Sequence, residues 1–220
     1  SIAGFSQTHL NGTGVPDLGD IRMLPFNQNL QGERFFCRYE RETQVAMPGY
    51  YSVKLADMNI DVELTVTERT AMHKYTFNQP GEANLLLDLQ NGLVFNSKNI
   101  RYRVLEGEVE MLDNKTIAGY NRVRGWVARY FYYMIVFDRP YTVKKELPQE
   151  EGEKAKRFIL EFDLKEGESV QVKVALSTVG IEGAKMALDK ENPGWNFESI
   201  KAETNGKWND MLSLVEVEGT

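Results

Sequence analysis

The sequence has one cysteine, Cys37, and only two histidines, His9 and His73. A single thiol cannot close an intrachain disulfide, so cysteine usage leaves the redox compartment open. Two distant histidines and an isolated cysteine offer no zinc-ligand spacing. Positive charge is also short, with 26 Lys and Arg against 32 Asp and Glu, a formal net charge of -6. Nucleic-acid binding requires a basic footprint that this balance does not supply. No apolar run approaches the roughly 20 residues needed to cross a bilayer, so no membrane span is expected. There is no P-loop, no dinucleotide glycine pattern and no Gly-x-Ser-x-Gly elbow, which leaves nucleotide and serine-hydrolase chemistry without a motif.

What is present is ordinary globular material: 220 residues, 42% of them hydrophobic, enough for one large domain with its own core. Alternation of period two recurs along most of the chain. Tyr51, Val53 and Leu55 alternate with polar residues, and so do Ile60, Val62, Leu64 and Val66, with Ala56–Asn59 as the turn of a hairpin. The same pattern returns at Phe158–Leu164 and Val170–Leu176. Ala83–Leu89 is almost wholly apolar, as in a strand covered on both faces. Tyr130–Phe137, rich in aromatic and β-branched side chains, reads as a central strand. Cys37, inside Phe35–Tyr39, reads as a buried structural thiol, and His73, in an alternating segment, as structural.

After Ser177 the period becomes helical. Ser177 or Thr178 is placed to cap a helix over 181–190, and a second apolar face runs through Phe197, Ile200, Thr204, Trp208 and Leu212. The fold class expected is mainly β, an antiparallel β-sandwich over residues 1–178 with a C-terminal helical linker over 179–220.

The opening segment departs from all this. Gly4, Gly12, Gly14 and Gly19 are interleaved with Ser6, Thr8, His9, Asn11, Thr13, Asp17 and Asp20, directly ahead of the apolar run Ile21–Phe26. Such a loop, dense in hydroxyls, amides and carboxylates, suits the rim of a polar site, although turn formation alone accounts for many of the same residue types. Asp17 and Asp20 form the tempting carboxylate pair; three residues apart, they serve equally as turn formers. Trp126, beside Arg124 and near Tyr120 and Asn121, has a face able to stack on a sugar ring, or to join the core.

Gly4-Phe-Ser-Gln-Thr-His-Leu-Asn-Gly-Thr-Gly14, followed by Asp17-Leu-Gly-Asp20, resembles the hallmark segment of the glycoside hydrolase family 92 exo-α-mannosidases. The resemblance continues through Pro48–Val53, Val62–Arg69, His73–Phe77, Gly125-Trp126 and Asn192–Trp195. It implies a β-sandwich of the supersandwich, galactose-mutarotase-like kind, packed in the longer enzyme on an (α/α) barrel that carries the catalytic acid and base. It also implies calcium-dependent, inverting removal of terminal α-mannose, most often α-1,2-linked, in N-glycan degradation by a secreted, periplasmic or cell-surface bacterial enzyme.

On that resemblance the chain is expected to be trimmed at both ends and inactive alone, with neither a catalytic residue nor a metal site of its own. The calcium belongs to the full-length enzyme. His9, Asn11, Thr13, Asp17, Asp20 and Trp126 are the candidate substrate-binding residues. The expected partners are the enzyme's own C-terminal catalytic domain and mannose-containing glycans, with dimerisation through exposed sheet edges left open. Two other readings of the residues stand beside it: a self-sufficient carbohydrate-binding module, and a docking domain with no site of its own.

Overall fold

A computed structural model of the chain describes residues 1–8, 18–27, 35–92, 103–125 and 127–215. Twelve antiparallel strands among them form two sheets. The smaller sheet has the order β1 (Arg22–Phe26), β6 (Ala83–Asp88), β11 (Arg157–Phe162), β10 (Tyr141–Glu146). The larger has the order β2 (Tyr39–Met47), β3 (Tyr50–Leu55), β4 (Ile60–Val66), β5 (Thr70–Phe77), β12 (Ser169–Ser177), β9 (Ala128–Phe137), β8 (Thr116–Arg124), β7 (Val104–Met111).

Alternation decides which side chains the sheets share. Val53, Leu55, Ile60, Val62, Tyr75 and Phe77 meet Leu85, Leu87, Phe158, Leu160 and Phe162 in one buried cluster. Fully burying a side chain of this size contributes roughly 1.5–3 kcal/mol. β6 is buried along its whole length, and β9 lies inside the larger sheet, as the largely apolar runs Ala83–Leu89 and Tyr130–Phe137 imply. The hairpin of β3 and β4 pairs Leu55 with Ile60 across the Ala56–Asn59 turn. Cys37 is free and buried, bridged through its backbone to Ile2, and burial pushes its thiol up to about 12.

Two helices lie on the outer face of the larger sheet. α1 (Ile181–Glu191) packs Ala184, Ala187 and Leu188 on Ala118, Met134 and Ala175, the alanines letting the helix approach closely. Its N-cap is Gly180 with no side-chain cap; the Ser177 hydroxyl instead accepts the Val179 N–H at 3.2 Å, so neither Ser177 nor Thr178 plays the capping role expected of it. α2 (Phe197–Leu212) begins at a true cap, Asn196, whose Oδ1 accepts the Ser199 N–H, and it runs through Gly206 without a break. It lies against β4, with Phe197 edge-on to Tyr50 and the Thr204 hydroxyl donating to the Val66 carbonyl. Glu191 at the end of α1 ties back to the Thr67 hydroxyl and to Arg69.

The outermost strands carry pairing deterrents. β2 slips register between Glu40 and Val45, β10 between Val143 and Lys145, and β7 exposes Glu106, Glu108 and Glu110. Bulges and charge both oppose strand addition by another chain.

Gly119 on β8 marks a tight backbone approach. A Cβ there would sit well inside contact distance of the Glu108 carbonyl and the Tyr133 hydroxyl. Gly119→Ala should therefore lower unfolding stability by about 3 kcal/mol. Gly206→Ala, with open space around it in α2, should raise stability by about 0.5–1 kcal/mol. Urea midpoints of the two variants check these opposite signs.

Candidate functional site

Three of the four residues from Leu18 to Ile21 hold left-handed backbone: Leu18 at φ 63°, Gly19 at 71° and Ile21 at 59°. For a β-branched isoleucine this is costly, about 1–3 kcal/mol, and persists only where the surroundings over-determine the chain. Asp20 is the residue so displayed. It is only 3% exposed, and its two carboxylate oxygens take one arginine each: Arg103 Nη2 at 2.6 Å and Arg129 Nη2 at 3.0 Å. Arg103 also donates to the Leu18 carbonyl at 2.7 Å, which explains why the backbone there can be held in an unfavourable region.

The opposite stem of the glycine-rich segment is fastened to the same point. Phe5 and Met23 exchange backbone hydrogen bonds, the Ser6 hydroxyl donates to the Asp20 carbonyl at 2.6 Å, and the Asp20 N–H donates to the Thr8 hydroxyl at 3.1 Å. Gly19 N–H reaches the Thr8 carbonyl at 2.9 Å. Thr8 and Leu18, the two ends of the 9–17 segment, are thus closed into a stem.

A second stem arrives from β6. Buried Arg22 pairs with buried Asp88, whose other oxygen accepts the backbone N–H groups of Gln90 and Asn91 at 3.0 and 2.8 Å. Gly92, at φ 58°, comes so close to the Gly19 carbonyl and Arg103 that no Cβ fits. A third contribution comes from the β8–β9 hairpin. Arg129 is on its returning strand, and the Arg124 N–H donates to the Arg103 carbonyl at 2.7 Å. The residues flanking 9–17, 93–102 and 126 therefore converge on one end of the sandwich, around a carboxylate enclosed by guanidinium groups.

A cleft of about 240 Å³ opens beside this network, lined by Ser6, Gln7, Tyr50, Tyr51, Thr65 and His73 among others. Both amide atoms of Gln7 are buried and find no hydrogen-bond partner among the described residues. His73 is fully buried, with Nδ1 2.6 Å from the Tyr75 hydroxyl, and burial lowers its pKa to about 4.

Of the six residues singled out in the sequence, only Asp20 is described; His9, Asn11, Thr13, Asp17 and Trp126 lie outside the described residues. Asp20 is buried, with one arginine on each of its carboxylate oxygens. The same pairing makes its carboxylate a poor fit for calcium. Among the described residues no three His, Cys, Asp or Glu gather as a metal cluster. Arg22, Asp88, Arg103 and Arg129 were not picked out from the sequence. Arg22 inside Ile21–Phe26 and Asp88 inside Ala83–Leu89 carried a usable signal, because a charge within an apolar run needs a buried partner. Arg103 and Arg129 carried none.

The fold is an antiparallel two-sheet sandwich with two helices on its larger sheet, and sequence comparison gives its family. Residues 1–177 match the glycosyl hydrolase family 92 N-terminal domain, and the chain belongs to that family. It is similar to the family GH92 α-mannosidase BT3965 from Bacteroides thetaiotaomicron, with 27% identity and a TM-score of 0.83. Against the family GH92 inverting mannosidase BT2199 of the same organism, identity is 21% and the TM-score 0.77, a likeness of fold. A putative kojibiose phosphorylase from human microbiome shares the fold at a TM-score of 0.53 with 10% identity. The match to BT3965 covers 99% of this chain and 32% of that one, so the chain spans about a third of its relative. No curated protein matches it. Among the described residues no helix is long and apolar enough to cross a membrane.

Two outcomes test the network. Asp20→Ala leaves two guanidinium groups facing a cavity and should cost about 3–5 kcal/mol in urea unfolding, whereas a loss below about 1 kcal/mol would remove Asp20 as the organising residue. For His73 the folded pKa lies below the unfolded value, so the unfolded chain binds the extra proton. Its contribution to stability is present above about pH 6.5 and is lost as pH falls toward about 4. The loss amounts to about 3 kcal/mol, and His73→Gln should flatten that part of the stability–pH curve.

Proposed function

We propose that this chain is the non-catalytic N-terminal part of an exo-acting α-mannosidase, and that the end of the sandwich built on Asp20 faces the catalytic domain and completes the substrate pocket there. The supporting observation is the convergence of three loop stems on the Asp20–Arg103–Arg129 network, with backbone strain held at the stem of the very segment that resembles the family hallmark. Such a base lets a glycine-rich loop present polar groups at fixed positions, which is what recognition of a sugar's hydroxyls requires. On this reading His9, Asn11, Thr13 and Asp17 contact substrate from the loop, and Trp126 stacks on a sugar ring. Asp20 holds them in place.

The catalytic acid and base and the calcium ion belong to the partner domain, a helical barrel. The reaction is inverting hydrolysis of terminal α-mannosides, α-1,2-linked ones foremost, in N-glycan breakdown outside the bacterial cytoplasm. Residues 179–220 serve as the linker toward that barrel. The exposure of Trp208, Met211 and Leu212 along α2, with Leu214 and Val215 beyond it, gives the linker an apolar face for the barrel to cover. Dimerisation through sheet edges is the weaker partner reading, since those edges are bulged and charged.

The chain alone should release no mannose from α-1,2-mannobiose with calcium present. Supplied together with a family catalytic barrel, it should restore turnover. In that assembled enzyme Trp126→Ala should raise KM about tenfold with kcat little changed, the signature of lost uniform binding. Turnover by the isolated chain, surviving a contaminant check, would sink the proposal.

A further inference from the structure

The outer face of the larger sheet is furnished in two ways. Beneath α1 it carries Ala118, Met134 and Ala175, sized for a helix. One step along the same strands, past the helix, it turns aromatic. Tyr130 and Tyr132, successive outward residues of β9, lie nearly parallel at 16° with centroids 6.3 Å apart. Tyr120 on β8 joins them across the strands, 5.7 Å from Tyr132 and 6.1 Å from Tyr130. Tyr130 is 40% exposed, the other two half-buried.

The rings are held in advance of any ligand. Glu106 on β7 accepts the Tyr120 hydroxyl at 2.7 Å and the Tyr130 hydroxyl at 3.5 Å, one on each carboxylate oxygen. The Arg122 guanidinium lies over Tyr130, 5.7 Å from its centroid. The Tyr120 phenol is pushed up to about 12 by Glu106, so it stays a donor at every physiological pH. Pre-ordered rings lose little entropy when something settles on them.

We propose that this face of β7, β8 and β9 is a binding platform for a neutral oligosaccharide chain. The positive C–H edges of a pyranose face suit the negative faces of the tyrosine rings. Exposed Glu108 and Arg122 offer planar, two-pronged groups for vicinal hydroxyls at the margin, while Glu106 holds the rings. A protein partner fits less well. Three tyrosines yield at most about 450–750 Å² even if wholly covered, short of the roughly 800 Å² per side of a stable interface. A cationic ligand fits less well too, because Arg122 already holds the cation position on Tyr130.

The choice of mannose as the sugar rests on the mannosidase reading above, and the experiment separates the two. The 220-residue chain is run through native gels containing soluble α-mannan or dextran. Retardation by mannan is expected, weakened at least tenfold by Tyr130→Ala combined with Tyr132→Ala and about threefold by Glu106→Gln. Tyr130→Ala alone, at the most exposed position, should give a partial loss with the fold intact by circular dichroism. Equal retardation in dextran, lost in the double variant, would support the platform while counting against mannose as its sugar. No retardation, or equal retardation of the double variant, overturns the proposal. So does a dimer that the double variant dissolves. In the assembled enzyme the double variant should leave mannobiose turnover unchanged; loss of turnover would assign this face to the domain junction and overturn it as well.

Discussion

Asp20 sits almost wholly out of water between Arg103 and Arg129, and the rest of this end of the molecule follows from that placement. A buried carboxylate is tolerable only when its charge is matched and its oxygens are hydrogen-bonded. Meeting that demand draws together the N-terminal stem, the stem after β6 and the β8–β9 hairpin, segments more than a hundred residues apart at their extremes. It also accounts for the left-handed backbone at Leu18 and Ile21: Arg103 grips the Leu18 carbonyl, and Ser6 and Thr8 grip Asp20. A single charge cluster thus substitutes for the apolar packing that orders the rest of the sandwich.

The division between the two ordering principles is spatial. Between the sheets, aliphatic and aromatic side chains from alternating positions bury one another, and any residue of the right size serves. At the charged end identity matters, because particular donors and acceptors must meet in a fixed geometry. The Arg22–Asp88 pair repeats the device on the neighbouring stem, fixing Gln90 and Asn91 ahead of the approach of Gly92 to Gly19. Glu106 plays a related part in the open, orienting tyrosine hydroxyls on a face that faces solvent. Among the described residues these polar groups fix the positions of loop stems and rings.

The helices illustrate how a local signal and a tertiary demand can disagree. Ser177 and Thr178 have the residue types of an N-cap, yet α1, which begins at Ile181 as expected, is preceded by Gly180 with no side-chain cap and is held by its alanines packing on Ala118 and Ala175. Gly206 lowers helix propensity, yet α2 continues through it, carried by Phe197 and Thr204 against the sheet and by its cap at Asn196. In both cases packing outweighed a preference of about 1 kcal/mol.

Much of the architecture was legible in the amino-acid sequence, because period two and unbroken apolar runs are dictated locally by which face of a strand meets water. The hairpin of β3 and β4, the buried β6 and the interior β9 follow from such patterns, and the helix expected over 181–190 follows from the change of period after Ser177. β8 and β10 were not evident: Thr116–Arg124 mixes its character, and Tyr141–Glu146 is an edge strand whose exposed charges hide the period. The glycine-rich opening segment declared itself by composition. What tertiary structure alone decided was the company Asp20 keeps. Its partners lie 83 and 109 residues away, and no local pattern marks an arginine as the one that will pair with a distant carboxylate. That choice is made only when two sheets close on each other and leave a charge no access to water.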